Sequence, residues 1–391
     1  MKKLCFCTTI SATMKQFVLE TARYLQQTEG FDITLICQDD PEFRKELPAG
    51  IRFRPVPMKR GMDLSGFAAV LAFLRIFREE GFDLVAYSTP NAACYASIAA
   101  KACGVPVRVY GQWGIRYVGL SGFSRRWMKR VEGLVCRNST AIRPVSEGNR
   151  AFAIDEGLYP PEKAKVLGFG GTIGVDFSLY DRAKKEDWRQ MIRNRFGLSP
   201  TDFVFGFCGR ISADKGCHEL FRAFRALLQK GERAFLLVVG PLEVKGELDS
   251  TLLAWARNCP SVCMTGAVSV QEMPKYYAAM DVLVHPTYRE GFGMVLQEAG
   301  ALGVPAITTD IPGASEVMED GRSTLLVPPG DWNELEHVMR ALLHHPKQAL
   351  RLGEQAYRRT LACYNRTEML KRQRDDFCAL LQEAEGKGAK K

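Results

Sequence analysis

Short apolar runs alternate with amphipathic stretches along this 391-residue chain, and no other feature limits its fold so strongly. Strands that alternate with helices pair in parallel, and helices then cover both faces of the sheet. The pattern begins a second time after about residue 190, which predicts an α/β protein built from two doubly wound units. The predicted strands are LCFCTT, DITLIC, IRFRPVP, LVAYS, VRVYG, AIRPVS and KVLGFG in the first half, and FVFGFCG, FLLVVG, VCMTGA, VLVHPT, PAITT and STLLVPP in the second.

The length of the chain fits two domains of ordinary size. We expect a first domain over residues 1–185 and a second over residues 186–365, followed by a terminal helix and basic tail over residues 366–391. Open α/β sheets bind ligands at the carboxyl ends of their strands, and small-molecule sites often lie between domains. The sequence therefore predicts two domains that face each other across a ligand-binding cleft.

Basic residues are concentrated in the first half of the chain. Residues 1–180 contain 24 Lys and Arg against 17 Asp and Glu, whereas the remainder contains 29 against 27. A local positive excess attracts an anionic partner. We expect a phosphorylated substrate or an anionic membrane surface in this role, and no nucleic acid.

The twelve cysteines indicate a reducing compartment more than a metal or redox site. They form no Cys-x-x-Cys pair, and several lie in apolar runs, where a thiol packs as a small hydrophobe. Unpaired buried thiols in a chain of this size are typical of the cytoplasm. The apolar run at the start is too short for a signal peptide, and the longest one, GFAAVLAFLRIF, is too short to span a bilayer. We expect a cytoplasmic protein without a bound metal or cofactor.

The stretch HPTYREGFGMVLQEAG in the second half reads as the end of a strand, a glycine turn and the start of a helix. Glu290 precedes the turn, and Glu298 lies about two helical turns beyond it. The residues of the turn and of the helix start are Gly291, Phe292, Gly293 and Met294. Their backbone amides suit a phosphate or a sugar hydroxyl, and a carboxylate binds vicinal hydroxyls well. The alternative is a pair of solvated acids beside an ordinary turn.

A second stretch, FCGRISADKGCHEL, follows the first predicted strand of the second unit. Arg210 and Lys215 flank a loop that ends at Gly216 and opens a helix. A guanidinium and a mobile ammonium together can neutralise a diphosphate. The alternative is an ordinary connection with exposed cations, but two such features at two strand ends of one domain favour a ligand site.

These two stretches resemble the motifs of the family 4 retaining glycosyltransferases. GRISADKG is similar to the Gly-Arg-x-x-x-x-Lys-Gly loop of that family, and EGFGMVLQE to its element with two glutamates eight residues apart. PGASEVMEDGRSTLLVPPGD is similar to the stretch that follows. ISATMKQFVLETARYL, GLSGF and GFGGTIGVDFSLYD resemble the capsular-polysaccharide and O-antigen branch. The resemblance implies a GT-B fold of two Rossmann-like domains, a nucleotide-sugar donor and no metal requirement.

The resemblance also implies roles for individual residues. Arg210 and Lys215 would hold the donor diphosphate, Glu290 would contact the transferred sugar, and Glu298 would hold the ribose. The remaining donor-binding residues would be Gly209, Gly266, Val268, Gly291, Phe292, Gly293 and Met294, with the backbone from Gly266 to Val268 near the base.

The first half departs from the pattern of the family. Its usual cleft histidine is missing, because the matching segments read AYSTP and GQWGIRY. Gln112 or Trp113 would take its place, and the sequence does not decide between them. The glycine-rich first loop is altered to TTISATM, in which Thr9 and Ser11 would contact donor or acceptor through hydroxyls and backbone.

The stretch SGFSRRWMKRVEGLVCRN combines basic residues with an interfacial tryptophan. A basic amphipathic helix of this kind can lie on an anionic bilayer. The alternative is a core helix with a solvated basic face. Together with the basic first half, the stretch favours peripheral contact with the inner face of the cell membrane, where a lipid-linked acceptor would be found.

The expected function is that of a metal-independent retaining hexosyltransferase. It would move a sugar from a nucleotide-diphosphate donor, a UDP sugar, to a lipid-linked saccharide in surface polysaccharide synthesis, with the nucleotide sugar as cosubstrate and no cofactor. Two alternatives remain: a GT-B nucleotide-sugar 2-epimerase, and a catalytically silent subunit that binds a sugar nucleotide. A dinucleotide dehydrogenase is disfavoured, because TTISATM is not a Gly-x-Gly-x-x-Gly loop.

Overall fold

The computed structural model describes residues 1–59, 65–243 and 248–388. The chain forms two compact units, one of Met1–Ile173 with Thr367–Lys391 and one of Gly174–Arg366. The sequence placed the division at residue 185 and treated residues 366–391 as a separate segment. In the structure the division falls at Ile173, and the terminal helix belongs to the first unit. Residues 389–391 of the expected basic tail lie outside the described residues.

The first unit contains a six-stranded parallel sheet. Its strands are β1 (Lys3–Cys7), β2 (Asp32–Ile36), β3 (Arg52–Phe53), β4 (Leu84–Ser88), β5 (Val107–Gln112) and β6 (Ala141–Pro144). They lie in the order β3-β2-β1-β4-β5-β6, and every pairing is parallel. The order reverses between β1 and β4, which is the switch point of a doubly wound sheet.

The second unit repeats this topology. Its strands are β7 (Val204–Cys208), β8 (Phe235–Val239), β9 (Val262–Met264), β10 (Val282–His285), β11 (Ala306–Thr309) and β12 (Thr324–Val327). Their order is β12-β11-β10-β7-β8-β9, again parallel throughout, with the switch point between β7 and β10. The two sheets confirm the predicted α/β class with two doubly wound units.

Helices connect the strands within each unit. In chain order they are α1 (Ser11–Phe17), α2 (Leu19–Glu29), α3 (Pro41–Lys45), α4 (Ser65–Glu80), α5 (Pro90–Ala102), α6 (Gly122–Asn138), α7 (Glu147–Asp155), α8 (Lys185–Arg195), α9 (Cys217–Gln229), α10 (Ser250–Asn258), α11 (Met273–Ala279), α12 (Met294–Ala301), α13 (Trp332–His344), α14 (Pro346–Cys363) and α15 (Arg366–Gly388). None of these helices is both long enough and apolar enough to cross a membrane, as far as the described residues reach.

The strands read as apolar runs because the sheets are covered on both faces. All five residues of β7, VFGFC, are buried. Helix α9 covers this sheet with an apolar stripe at helical spacing, of which Leu220, Phe224 and Leu227 are fully buried. This packing fixes the carboxyl ends of β7 and β10, from which the loops of the candidate site extend.

The predicted strand KVLGFG is wrong. Residues 165–167 have no regular secondary structure and residues 168–170 form a turn and a bend, and the nearest sheet-like contact is a single bridge between Ile142 and Ala164. Gly168, Gly170 and Gly171 have φ of 59°, 91° and 91°. Backbone with positive φ cannot continue a strand, so the glycines that follow the apolar residues end any regular structure there.

Helix α15 packs against the sheet of the first unit. The rings of Phe377 and Phe6 lie edge to face with their centroids 5.7 Å apart. Asp376 accepts two hydrogen bonds from the Arg143 guanidinium, at 2.7 and 2.8 Å. Such a bidentate pair, largely shielded from water, fixes the helix on the end of β6.

A buried arginine ties together the elements around the second switch point. Arg193 of α8 has only 2% of its side chain exposed, and it lies 2.8 Å from the carboxylate of Asp281. The same carboxylate accepts from the backbone N–H of Val204, at the start of β7. The guanidinium also donates to the carbonyl oxygens of Ala279, Ser199, Pro200 and Asp202. Because nearly every donor is used, the buried charge is compensated.

Candidate active site

Two loops at the carboxyl ends of β7 and β10 are pressed together. Gly216, which precedes α9, has a φ of 71°, and a Cβ atom placed on it would lie 1.8 Å from the carbonyl oxygen of Pro286. Only glycine fits this position. The backbone N–H of Tyr288 also donates to the carbonyl oxygen of Asp214, at 3.0 Å. The contact places Lys215 beside the loop that carries Glu290.

Lys215, His285 and Glu290 form one contact group, the Glu290 cluster. The Nζ atom of Lys215 lies 2.7 Å from Oε2 of Glu290, and Nε2 of His285 lies 3.0 Å from the same oxygen. The other carboxylate oxygen, Oε1, accepts from the backbone N–H of Gly291 at 3.2 Å. The Lys215 and Glu290 side chains are each 17% exposed and that of His285 only 2%. A carboxylate is therefore held from both sides at the edge of the sheet.

The charges in the Glu290 cluster follow from its burial and its partners. Burial acts to raise the pKa of Glu290, but the hydrogen bond from His285 and the charge of Lys215 outweigh burial and lower that pKa to about 2. The pKa of His285 is lowered mainly because its ring is buried, and Lys215 adds to the effect while Glu290 opposes it. Glu290 is accordingly an anion at neutral pH, and His285 is neutral.

Arg210 lies in the same loop as Lys215 but binds other acids. Its Nη2 is 3.0 Å from Oδ2 of Asp214, and its Nη1 contacts the carboxylate of Glu243. The Arg210 side chain is 46% exposed. Burial acts to raise the pKa of Asp214, but a hydrogen bond from Ser212 and the Arg210 charge outweigh it, so that pKa is lowered. The guanidinium is thus held toward solvent at the strand end.

Glu298 has a different environment from Glu290. It lies on α12, and its Oε2 accepts a hydrogen bond of 2.7 Å from the hydroxyl of Tyr277. Burial raises the pKa of Glu298, and Tyr277, Tyr180 and Arg366 only partly oppose that shift. The pKa of Glu290 is therefore lowered and that of Glu298 is raised. Environments that shift two carboxyl groups in opposite directions can give them different roles in one site.

The other predicted donor-binding residues surround these two acids or follow a neighbouring strand. Phe292 is buried with its ring centroid 5.6 Å from that of Tyr364, and the N–H of Gly293 donates to the carbonyl oxygen of Gly313 at 2.9 Å. Met294 is the first residue of α12. Gly209, Gly266 and Val268 lie just beyond the carboxyl ends of β7 and β9. All of them lie at one edge of the second sheet.

In the first unit, the side chains of the four candidates have protein partners. The Thr9 hydroxyl lies 2.8 Å from that of Thr89, and Ser11 donates to Asp40 at 2.5 Å. Trp113 packs on Phe17, with ring centroids 5.3 Å apart.

Gln112 and Trp113 were the two candidates for the place of the missing histidine. Gln112 is fully buried, donates to Glu132 at 2.7 Å and accepts from the Tyr159 hydroxyl at 2.8 Å. Both ends of its amide are thus used inside the unit. Trp113 instead lines a cavity of about 90 Å³, together with Phe6, Val18, Arg143 and other residues of the first unit. Of the two, Trp113 is the one placed beside open space.

Two family models match the chain. The model described as "Glycosyl transferase 4-like domain" matches residues 13–170, and that described as "Glycosyl transferases group 1" matches residues 189–359. The capsular polysaccharide biosynthesis glycosyltransferase CapM of Staphylococcus aureus is 31% identical over 362 residues, which cover 92% of this chain and 93% of CapM. This chain is a family 4-like glycosyltransferase.

Other comparisons agree with this family. A UDP-Gal:alpha-D-GlcNAc-diphosphoundecaprenol alpha-1,3-galactosyltransferase of Escherichia coli is 22% identical over 325 residues, with 82% of this chain and 81% of that protein covered. The structure of Anabaena HepE in complex with UDP and glucose superposes with a TM-score of 0.79 at 20% identity, over 97% of this chain and all of HepE. The structure of sucrose-phosphate synthase from Thermosynechococcus elongatus superposes with a TM-score of 0.80 at 17% identity, over 98% of this chain and all of that chain. The GT-B fold predicted for this glycosyltransferase is confirmed.

The sequence did not single out His285. A polar residue at the end of the apolar run DVLVH, five positions before Glu290, was the available signal. In the described parts of the chain, no group of three or more His, Cys, Asp or Glu is placed to bind a metal ion.

Proposed function

We propose that this glycosyltransferase transfers a hexose, with retention of anomeric configuration, from a nucleoside diphosphate sugar to a lipid-linked saccharide in surface polysaccharide synthesis. The observation that carries the proposal is the Glu290 cluster beside Arg210, at the switch point of the second sheet. The names of the relatives support it: one acts in capsular polysaccharide synthesis, and another uses UDP-Gal and a diphosphoundecaprenol acceptor. A UDP sugar is accordingly the donor that we propose.

Each charged group of the site suits one part of such a donor. Lys215 and Arg210 are cations on one loop, which can neutralise the charge that develops on a departing diphosphate. No metal ion is needed for that role when two cations supply it. Glu290 is an anion that accepts hydrogen bonds, as a sugar hydroxyl requires. Glu298 would accept from the ribose.

A peripheral position on the inner face of the cell membrane fits such an acceptor. On α6, Phe123 and Trp127 are four residues apart and have 75% and 48% of their surface exposed. Among the residues that the structure describes, Arg126 and Arg130 make no ion pair, whereas Arg125 and Lys129 both pair with Glu156. Exposed aromatic rings beside unpaired cations suit an anionic bilayer, so the protein would act in the cytoplasm at that surface.

Substitutions of Glu290 and Glu298 provide the test, because each should change a different measured property. Glu298→Gln should weaken binding of UDP and of the UDP sugar alike, since ribose contacts persist through the reaction. Glu290→Gln should leave UDP affinity unchanged but lower kcat. Calorimetric titration with UDP, paired with turnover of the sugar donor, separates these outcomes. Glu232→Gln is the matched control, because Glu232 also pairs with a histidine, His344 at 2.8 Å, but precedes β8 at the opposite edge of the sheet.

Two results would contradict the assignment. Equal loss of UDP affinity in Glu290→Gln and Glu298→Gln would mean that the roles of the two acids are wrong. Little effect from either change would make both of them ordinary structural acids.

A catalytically silent subunit remains the second candidate, and the first unit provides the observation that favours it. The residue in the place of the usual histidine is either Gln112, whose amide nitrogen and oxygen are each hydrogen-bonded, or Trp113, which does not titrate. A silent subunit would bind the nucleotide sugar tightly but would not transfer its sugar to any acceptor. An epimerase would instead accumulate a 2-epimer from the donor alone. The same titration and turnover assays distinguish all three.

A further inference from the structure

We infer that His285 is a positioning residue, which holds the Glu290 carboxylate in place by donating its Nε2–H. The role of Glu290 toward the sugar rests on the proposed function, whereas the contact does not. His285 is the last residue of β10, so its backbone is fixed within the sheet. Its carbonyl oxygen also accepts from the Thr308 hydroxyl of β11 at 3.0 Å. His285 is therefore held through both its backbone and its side chain.

The hydrogen-bond partners decide which nitrogen of His285 carries the proton. The Glu290 carboxylate can only accept, so Nε2 must donate across the 3.0 Å contact. The other nitrogen, Nδ1, is buried and has no hydrogen-bond partner among residues 1–59, 65–243 and 248–388. A neutral ring carries one proton, so a proton on Nε2 leaves Nδ1 bare, and a second proton there would add both an unpaired donor and a buried positive charge. The ring is accordingly neutral and protonated at Nε2.

The charged groups around His285 agree with a neutral ring. Glu290 and Lys215 are the ionisable groups whose charges act on it. Phe207 of β7 presents an uncharged ring with its centroid 6.5 Å away. Lys215 opposes a second positive charge beside it, and burial acts in the same direction. His285 therefore donates a hydrogen bond to Glu290 as a neutral group. Lys215 is then the cation that pairs with the negative charge of Glu290.

The arrangement leaves Lys215 free to exchange partners. One carboxylate oxygen of Glu290 is held by the N–H of Gly291 and the other by His285, in addition to Lys215. When the ammonium turns to a donor phosphate, these two hydrogen bonds still fix the carboxylate. His285 thereby lets Lys215 serve the diphosphate while Glu290 remains oriented, as an anion, toward the sugar.

The test compares three variants of this position. His285→Leu removes the donor, His285→Gln restores an N–H near the place of Nε2, and His285→Asn is too short to reach Glu290. His344→Leu is the matched control, since His344 pairs with Glu232 at the opposite edge of the sheet. Two readouts apply: titration of ¹³C-labelled glutamate carboxyls by NMR, with Glu290→Gln as the assignment standard, and kcat with UDP affinity.

In the wild type we expect the Glu290 signal to stay ionised between about pH 4 and pH 7, and in His285→Leu we expect it to begin to titrate in that window. We expect kcat to fall by roughly tenfold to a hundredfold, the range for one hydrogen bond to a charged group, with UDP affinity almost unchanged. His285→Gln should recover most of the loss, and His344→Leu should show none.

His285→Gln performing no better than His285→Leu, or an unchanged Glu290 titration in His285→Leu, would overturn the inference. If His285→Leu does not fold, His285→Asn against His285→Gln decides the same question. If the wild type binds no nucleoside diphosphate, the proposed function fails, but the NMR titration still decides whether His285 controls Glu290.

Discussion

Replacing Lys215 with alanine should weaken UDP binding more than any other single change among the cations of the site. The ammonium is only 17% exposed, whereas the guanidinium of Arg210 is 46% exposed and already holds two acids. Exposed ion pairs contribute about 0–1 kcal/mol, while loss of one partner from a shielded pair costs about 2–5 kcal/mol. For Lys215→Ala we therefore expect a loss of roughly 2–4 kcal/mol, or about 30-fold to 1,000-fold in affinity. Arg210→Ala should lose less.

Calorimetric titration with UDP at fixed ionic strength measures the effect directly. The matched control is Lys230→Ala, because Lys230 also pairs with a shielded acid, Glu336, whose side chain is 6% exposed. Lys230 follows the last residue of α9, at the opposite edge of the sheet from Lys215. Its loss should lower stability and leave UDP affinity unchanged. Affinity of Lys215→Ala within about twofold of wild type, a change below roughly 0.4 kcal/mol, would refute the reasoning, as would an equal loss in Lys230→Ala.

Three further predictions concern the charge of Glu290, the buried side chain of Arg193 and the exposed aromatic rings of α6. The pKa of Glu290 is about 2 when folded and 4.5 as a free side chain, so its stabilising effect is present above pH 4.5 and lost as the pH falls toward 2. In urea unfolding, Glu290→Gln should therefore be less stable than wild type at neutral pH, by at most about 3 kcal/mol, and the gap should close in acid. Arg193→Ala should cost about 3–5 kcal/mol of stability and Arg189→Ala, which is more exposed, clearly less; equal losses would contradict the buried-charge argument. Phe123→Ser with Trp127→Ser should release the protein from anionic vesicles, whereas Met191→Ser, an exposed apolar residue of the second unit, should not.

The fold could be predicted because its signal is local. Twelve of the thirteen predicted runs contain a strand, since a strand covered on both faces must be apolar wherever it lies. KVLGFG failed because the glycines after its apolar residues adopt positive φ, which composition alone does not disclose. The return of α15 to the first unit depends on contacts such as Phe377 with Phe6, more than 350 positions apart. No local pattern encodes such a contact.

Candidate residues for the site could be proposed from the sequence, but their contacts with one another could not. Glu290 and Lys215 were assigned to different parts of one donor, and the structure shows them in contact, 2.7 Å apart. The roles of these residues stay predictions, whereas the contact adds a new constraint. The sequence alone does not point to His285, because a histidine at the end of an apolar strand is more often a core residue than a functional one. Its hydrogen bond to Glu290 depends on the conformation of the turn between the two residues.

The contact between Lys215 and Glu290 depends on glycines that let the loops of the site approach each other closely. A Cβ atom on Gly216 would meet the Pro286 carbonyl oxygen at 1.8 Å, and one on Gly313 would meet the Gly291 carbonyl oxygen at 2.5 Å. Both positions have positive φ, so a side chain there would be strained as well as obstructed. Larger residues would push the loops after β7 and β11 away from the loop after β10, and a shift of about 1 Å would lengthen the 2.7 Å contact beyond hydrogen-bond distance. Gly216 and Gly313 thus do more than admit a ligand: they set the distance across which the charges of the site act.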